Sequence, residues 1–363
     1  MNQSGTTIPS AGAWRDRIAF EIRDQSRTFL DVALAAAVRG DLAPLIERSA
    51  RLYQGSVHAR ESGLDLDMAS VETAIEEFRY ARDLVTVEET ERWLGDRGLD
   101  VDDLTGHFLR RFWFNAAGHP AMSDVSGGDG DEPPPWPADL ILSGEFTRLA
   151  RLLAGEEIAI LDRPGPTGPE SDALLEGFQE RMGLGEADCE DWLARHQMDR
   201  ARLLALLHGQ AQHAADQLAV LTDPARVQML GQMRSDLCRA ELEVIEFDNP
   251  FAAQEAFLCA TSDRLSMETV AVESGFSIRS QSGFLRDLPE PWRIAILSAS
   301  PGRVLQPLAG PETISLVRLV RRIHPGLEDP VVRAEVDHAL WQRHFGEAEL
   351  REIRWRTGGN NPP

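Results

Sequence analysis

The sequence predicts an α+β protein that is mostly helical, and three observations carry that prediction. Residues 239–322 hold two stretches with period-two patterning, 240–247 and 313–320, joined by short segments punctuated with Gly and Pro. The sequence on both sides has helical periodicity. A helical motif also occurs twice, once from Phe78 and again from Phe178.

Composition bounds what such a chain can do. At 363 residues it is long enough for two or three modules, and 42% apolar content is enough for packed cores. A formal net charge of −22 argues against phosphate-backbone binding and against anionic membrane surfaces, so no nucleic-acid partner is expected. Basic or apolar partners remain compatible with that charge. The three cysteines, Cys189, Cys238 and Cys259, have no CxxC spacing, which predicts free thiols and a reducing compartment. Residues 1–12 lack a basic segment followed by an apolar one. The longest early apolar run, 32–38, is short and flanked by Asp31 and Arg39. Neither a signal peptide nor membrane insertion is expected, and a cytoplasmic location is.

Taken in order, residues 1–12 read as a disordered tail and 13–120 as a first helical domain. Helix is expected from Trp14 to about Ser62, broken at Gly40 and Gly55, with Ile18, Ile22, Phe29, Leu30 and Leu34 as an apolar stripe. The first copy of the repeat then runs from Phe78 through Trp93-Leu94 to Leu99, Asp100 and Leu104. The second runs from Phe178 through Trp192-Leu193 to Met198, Asp199 and Leu203. From the Trp onward the copies agree without a gap, and a one-residue shift precedes it. The unit predicted is a helix, a turn, a Trp-bearing helix, and a third helix capped by Asp100 or Asp199. Thr86 and Glu89 form a capping box in the first copy, a cue missing from the second.

Residues 121–138 read as a flexible linker stiffened by prolines, and 139–237 as the second helical domain. Asp124, Asp129 and Asp131 lack the alternation and closing Glu of a calcium loop. His196, His208 and His213 form the one histidine cluster in reach of a metal, but their spacing does not set them on one face. Solvated helix histidines and no metal are expected. No dinucleotide fingerprint, phosphate loop or nucleophile elbow occurs, and no cofactor is expected.

Residues 238–324 form the α/β module: a strand at 240–247, helices at 251–260 and 266–273, a loop at 274–283, a Trp-bearing helix at 291–298, and a closing strand. A C-terminal helix is expected over 325–356, started by Asp329-Pro330, with Val332, Val336, Leu340 and Phe345 on one face and Gly346 as its stop. A polar tail, 357–363, follows.

Within the module, Trp292, Leu297, Gly302 and Pro307 recur at steps of five, and Arg-rich sequence follows the last strand. This pattern resembles the parvulin type of peptidyl-prolyl isomerase domain, the kind carried by SurA-like chaperones. The resemblance covers about a quarter of the chain directly. It implies a small parvulin-like α/β domain, preceded by a duplicated helical region similar to the SurA N-terminal domain, with a C-terminal helix packing back on that region. It further implies that Leu288 and Trp292 line a proline-ring pocket with Leu285 and Phe284 nearby, so these four are the peptide-binding candidates. Cys259 lies on a helix and reads as a packed apolar residue.

The departures concern catalysis. Parvulins surround the X-Pro bond, whose isomerisation barrier is about 20 kcal/mol, with two histidines and a Cys or Asp. The resemblance would place the first-strand histidine within 241–246, the last-strand histidine near Ile314 or Ser315, and the Cys or Asp within 274–280. No histidine occurs between His213 and His324, and 274–280 holds no Cys or Asp. The catalytic residues stay unassigned. The function expected is a peptide-binding chaperone with a catalytically degenerate parvulin module that handles an unfolded or precursor peptide, with a peptide-maturation enzyme as the further partner expected. Two alternatives stay open. One is an active isomerase. The other is a peptide-modifying enzyme that reuses the pocket, with Ser277, Arg279, Ser280 and Gln281 as the nearest polar groups.

Overall fold

The computed structural model describes residues 13–116, 136–309 and 313–356. Most of the linker and both tails therefore lie outside the described residues, as do Asp124, Asp129 and Asp131. The chain is mostly helical α+β and divides into two compact units, 1–217 with 345–363, and 218–344.

The first unit opens with a correction. Residues 18–28 are a hairpin, β1 (Ile18–Ile22) and β2 (Gln25–Thr28), where helix was expected. Arg23 takes a positive φ of 50° in the two-residue turn, as tight hairpins require. The third strand of this sheet is β7 (Ile353–Trp355), antiparallel to β1 with Phe20 opposite Trp355. A partner that far along the chain leaves no trace in a local window, so the stripe of Ile18, Ile22 and Phe29 reads as helical by default.

Helix begins at α1 (Phe29–Arg39), with Thr28 and Asp31 in a reciprocal capping box and Gly40 ending it at φ 88°. It is followed by α2 (Leu42–Glu61), α3 (Met68–Tyr80), α4 (Val87–Gly95) and α5 (Val101–Ala116). The second set is α6 (Trp136–Leu142), α7 (Glu145–Ile160), α8 (Gly168–Met182), α9 (Glu186–Arg195) and α10 (Arg200–Val220). The repeat is structural. Phe78 meets Trp93 edge-on at 5.6 Å, and Phe178 meets Trp192 at 5.2 Å. Asp100 accepts from the Asp103 N–H, and Asp199 from the Arg202 N–H. The second copy retains half of the capping box, the Gly185 N–H donating to Asp188 at 3.2 Å.

Gly55 is not a break but an interior residue of α2. A Cβ there would lie 2.5 Å from the Phe114 ring, and one on Gly155 of α7 would lie 2.3 Å from His213. In each half the helix just before the repeat unit thus meets the unit's last helix over a glycine. Gly55→Ala or Gly155→Ala is expected to destabilise the protein by about 1–3 kcal/mol despite alanine's better helix propensity, measured as a lowered urea midpoint.

The helices that lead the copies exchange places. Helix α1 precedes the first copy yet packs on α7, with Phe29 stacked on Phe146 at 4.0 Å and Arg39 bonded to both carboxylate oxygens of Glu156. Helix α6 precedes the second copy yet packs on α2 and α5, where Asp139 accepts from Ser49, His107 and Arg110.

The second unit holds α11 (Asp223–Gln232), β3 (Arg239–Phe247), α12 (Pro250–Thr261), α13 (Met267–Ser274), β4 (Ile278–Phe284), α14 (Glu290–Ser298), β5 (Leu308–Ala309) and β6 (Ile314–Ile323). The strand order is β4-β3-β6-β5, antiparallel throughout. Residues 278–284, read as loop, are an edge strand. Arg279, Ser280, Gln281 and Ser282 are all exposed, so the apolar alternation that marks a strand is missing.

Helix α15 (Pro330–Glu352) starts on Asp329, which accepts from the Val331 N–H at 2.9 Å. Val332 and Val336 pack with Met229, Leu237 and Phe284 in the second unit. The helix runs through Gly346, which keeps an ordinary φ, and from Phe345 onward the chain belongs to the first unit. There Trp355 lies against Phe20, ring to ring at 5.3 Å.

Candidate functional site

Strand alternation sorts the module's side chains onto two faces. Ala240, Leu242 and Val244 of β3 and Val317 and Leu319 of β6 pack with Leu285, Trp292 and Ile296, and Leu288 lies against them. Ile245, Phe247 and Leu316 point the other way, under α12 and α13. The short turn Leu285–Asp287 after β4, followed by Pro289 at the entry to α14, sets Leu285 and Trp292 on the first face.

Three of the four peptide-binding candidates, Leu285, Leu288 and Trp292, therefore pack in one apolar cluster on this face. Phe284 does not join it. It faces the opposite side of β4, across from Arg239, whose guanidinium lies 4.6 Å over its ring, and belongs to the cluster with α11 and α15. Leu297, which the resemblance to parvulins would make a core residue, is 45% exposed, and Ile296 is the buried one. Gly302 does make the turn, at φ 83°, with its N–H on Leu319 O. Cys259 packs against the α12–α13 cluster, as its position on a helix suggests.

Trp292 is 8% exposed, and its indole Nε1 is buried without a hydrogen-bond partner. An unsatisfied donor of this kind costs about 1–3 kcal/mol. No spacing rule flags such a group, because the sequence shows the ring and not its partners.

At the far end of the same face the register brings three further positions together. Glu246 is paired across the ladder with Ser315, and Arg279, opposite Val244, forms an ion pair with Glu246. These positions fall within the three segments where the resemblance would place the two histidines and the Cys or Asp. The side chains there are an ion pair closed on itself and a buried hydroxyl. Counting register back from Ser315 would have singled out Glu246 within its segment. Of the other polar candidates, Ser280 and Gln281 are exposed and alternate to opposite faces, and Ser277 precedes the strand.

The three helix histidines are buried, against expectation, and each has its own surroundings. His196 stacks on Trp192 at 4.0 Å, His208 lies 3.9 Å from Glu170, and His213 fills the space over Gly155 with Gln217 at 3.0 Å. Aromatic stacking draws the His196 ring inward and the missing glycine Cβ makes room for that of His213. Burial pushes the His213 imidazole below its ordinary range. Among the described residues no group of three or more His, Cys, Asp or Glu is placed to hold a metal ion, and no helix is long and apolar enough to cross a membrane.

No protein-family model matches the chain, and no curated protein sequence matches it. Among solved structures it is similar to the peptidylprolyl isomerase PrsA of Bacillus anthracis, at 9% identity and a TM-score of 0.27, over 54% of this chain and 95% of that one. It is also similar to the foldase PrsA of Lactococcus lactis, at 14% identity and a TM-score of 0.24, over 58% and 83%. A third similar structure is a SurA-like chaperone of Campylobacter jejuni, at 8% identity and a TM-score of 0.22, over 59% and 88%.

Proposed function

We propose that this chain is a peptide-binding chaperone whose parvulin-like module holds a peptide without isomerising it. The observation that carries the proposal is the convergence of Glu246, Arg279 and Ser315 on the face that bears Trp292. The neighbourhood resembles that of a proline site, but the side chains there include no imidazole or thiol to exchange a proton near neutral pH. What remains is an apolar wall with an unpaired indole donor, suited to a proline ring or large apolar side chain beside a peptide carbonyl. The client class proposed is an unfolded or precursor peptide, in a cytoplasmic setting and alongside a peptide-maturation enzyme.

The test compares wild type, Trp292→Phe and Trp292→Ala. Trp292→Phe keeps most of the ring and removes the donor, so proline-peptide affinity is expected to fall up to about tenfold while the fold persists. In a protease-coupled cis/trans assay wild type is expected to match the uncatalysed rate while suppressing client aggregation. Catalysis above background that disappears in Trp292→Ala would replace this proposal with that of an isomerase working without histidines.

A further inference from the structure

The duplication supplies an internal comparison at the junction of the first two helices of each repeat. In the first copy Arg79 of α3 bridges to α4. Its Nε donates to Thr90 Oγ1 at 3.0 Å and its Nη2 to Val85 O at 2.9 Å. In the second copy the aligned positions are Gln179 and Cys189, one too short and the other a poor acceptor, and no arginine spans the junction. Both residues instead line an open cavity of about 260 Å³ between α8 and α9.

The cavity has the features that would suit the side chain missing from it. Its floor is apolar, with Leu175 and Leu193 buried at the positions of Ile75 and Leu94. Its rim is acidic: Asp172, Glu176 and Glu190 align with Glu72, Glu76 and Glu91 of the first copy, and Glu186 adds a fourth carboxylate. Arg200 is the one base in the lining. A cavity of about 150 Å³ holds a benzene-sized molecule, so this one has room for a guanidinium and its methylene stem. The apolar floor would pack the stem while the carboxylates take the charged head.

We propose that the α8–α9 groove binds a basic side chain, an arginine above all, from an extended peptide, in the manner that Arg79 fills the first copy from within. This deepens the peptide-binding reading and rests on it for the class of partner. The groove then selects clients by charge, and the chain's net charge of −22 favours the encounter.

The experiment uses the full chain and a ten-residue Ala/Ser/Gln peptide with one central arginine, beside its twin carrying uncharged citrulline. Wild type is expected to bind the arginine peptide about tenfold more tightly, with the preference shrinking as salt rises. The double variant Gln179→Arg/Cys189→Thr, which rebuilds the first copy's bridge, is expected to lose the preference with its thermal midpoint maintained. Glu176→Gln should halve the preference or more. Equal affinity for both peptides in wild type, or a preference that survives in the double variant, overturns the proposal. A proline-rich peptide without arginine, read with Trp292→Phe, reports separately on the α/β module. Arginine-independent binding there with no preference here refutes the groove alone, and binding of none of the peptides refutes both.

Discussion

Replacing Asp139 by alanine is expected to lower the unfolding free energy by about 3–5 kcal/mol, the largest single effect anticipated in the helical unit. Asp139 is buried on α6 and is the common acceptor for Ser49, His107 and Arg110, at 2.5, 2.8 and 2.6 Å. Its removal strands a guanidinium and an imidazole whose other nitrogens, Arg110 Nε and His107 Nε2, are already buried without partners. Burial pushes the Asp139 carboxyl up, but the His107 and Arg110 hydrogen bonds outweigh it and hold the group below the usual carboxylate range. The pH dependence follows from that sign. Stabilisation is present above the unfolded aspartate value and is lost as pH falls through the lower folded value. Urea denaturation at pH 7 and in acid, with and without Asp139→Ala, measures both effects. An alanine variant within 1 kcal/mol of wild type, on the scale of an exposed pair, would show that this contact does not secure the exchanged helix.

Glu156, the anchor of the other exchanged helix, is expected to act with the opposite sign. Burial raises its carboxyl from 4.5 to about 7, against the attraction of Arg39 and with Asp41 and Glu157 adding repulsion. A raised carboxyl binds its proton more tightly in the folded state. Its contribution is therefore full below about pH 4.5 and is lost as pH rises through about 7, with a total of about 3 kcal/mol. The groups facing it are Arg39 and Asp41, Glu157 on its own helix, and the backbone at Gly209 on α10, with His213 one position away over Gly155. Comparing urea midpoints at pH 5 and pH 8 should show wild type losing stability with pH and Glu156→Gln losing much less. Parallel slopes in the two proteins would remove Glu156 as the source.

Much of the fold was legible in the sequence where partners lie near in the chain. The Asp-capped helices, the two copies of the repeat and the order of elements in the module all follow from short-range signals: caps, turn glycines and periodicity. The misreadings share a cause in long-range pairing. β1 depends on β7, the edge strand β4 is polar because helices leave its middle uncovered, and Gly55 packs against Phe114 on a helix three elements away. At the candidate site, the spacing from Trp292 to Pro307 picked out a Trp that is buried in the module's core, but only register shows that Phe284 faces away from it. The acidic rim of the α8–α9 groove was visible as composition. The groove became meaningful only beside Arg79, whose bridge no sequence pattern displays.

The pairing of β7 with β1 has a consequence for the order in which the protein forms. Arg356 reaches back to Glu21, 335 residues away, so the first unit lacks its closing strand until β7 has left the ribosome. At a synthesis rate of about 5–20 residues per second, α1 to α10 wait for many seconds before β7 exists. The unit formed by 218–344 is contiguous and complete before that moment, so it can fold first. Closing so long a loop across a disordered chain carries an entropy cost that grows with its length, and an insert already compact reduces it. The module that carries the proposed peptide wall would thus be ready for a client before its own helical partner unit is sealed.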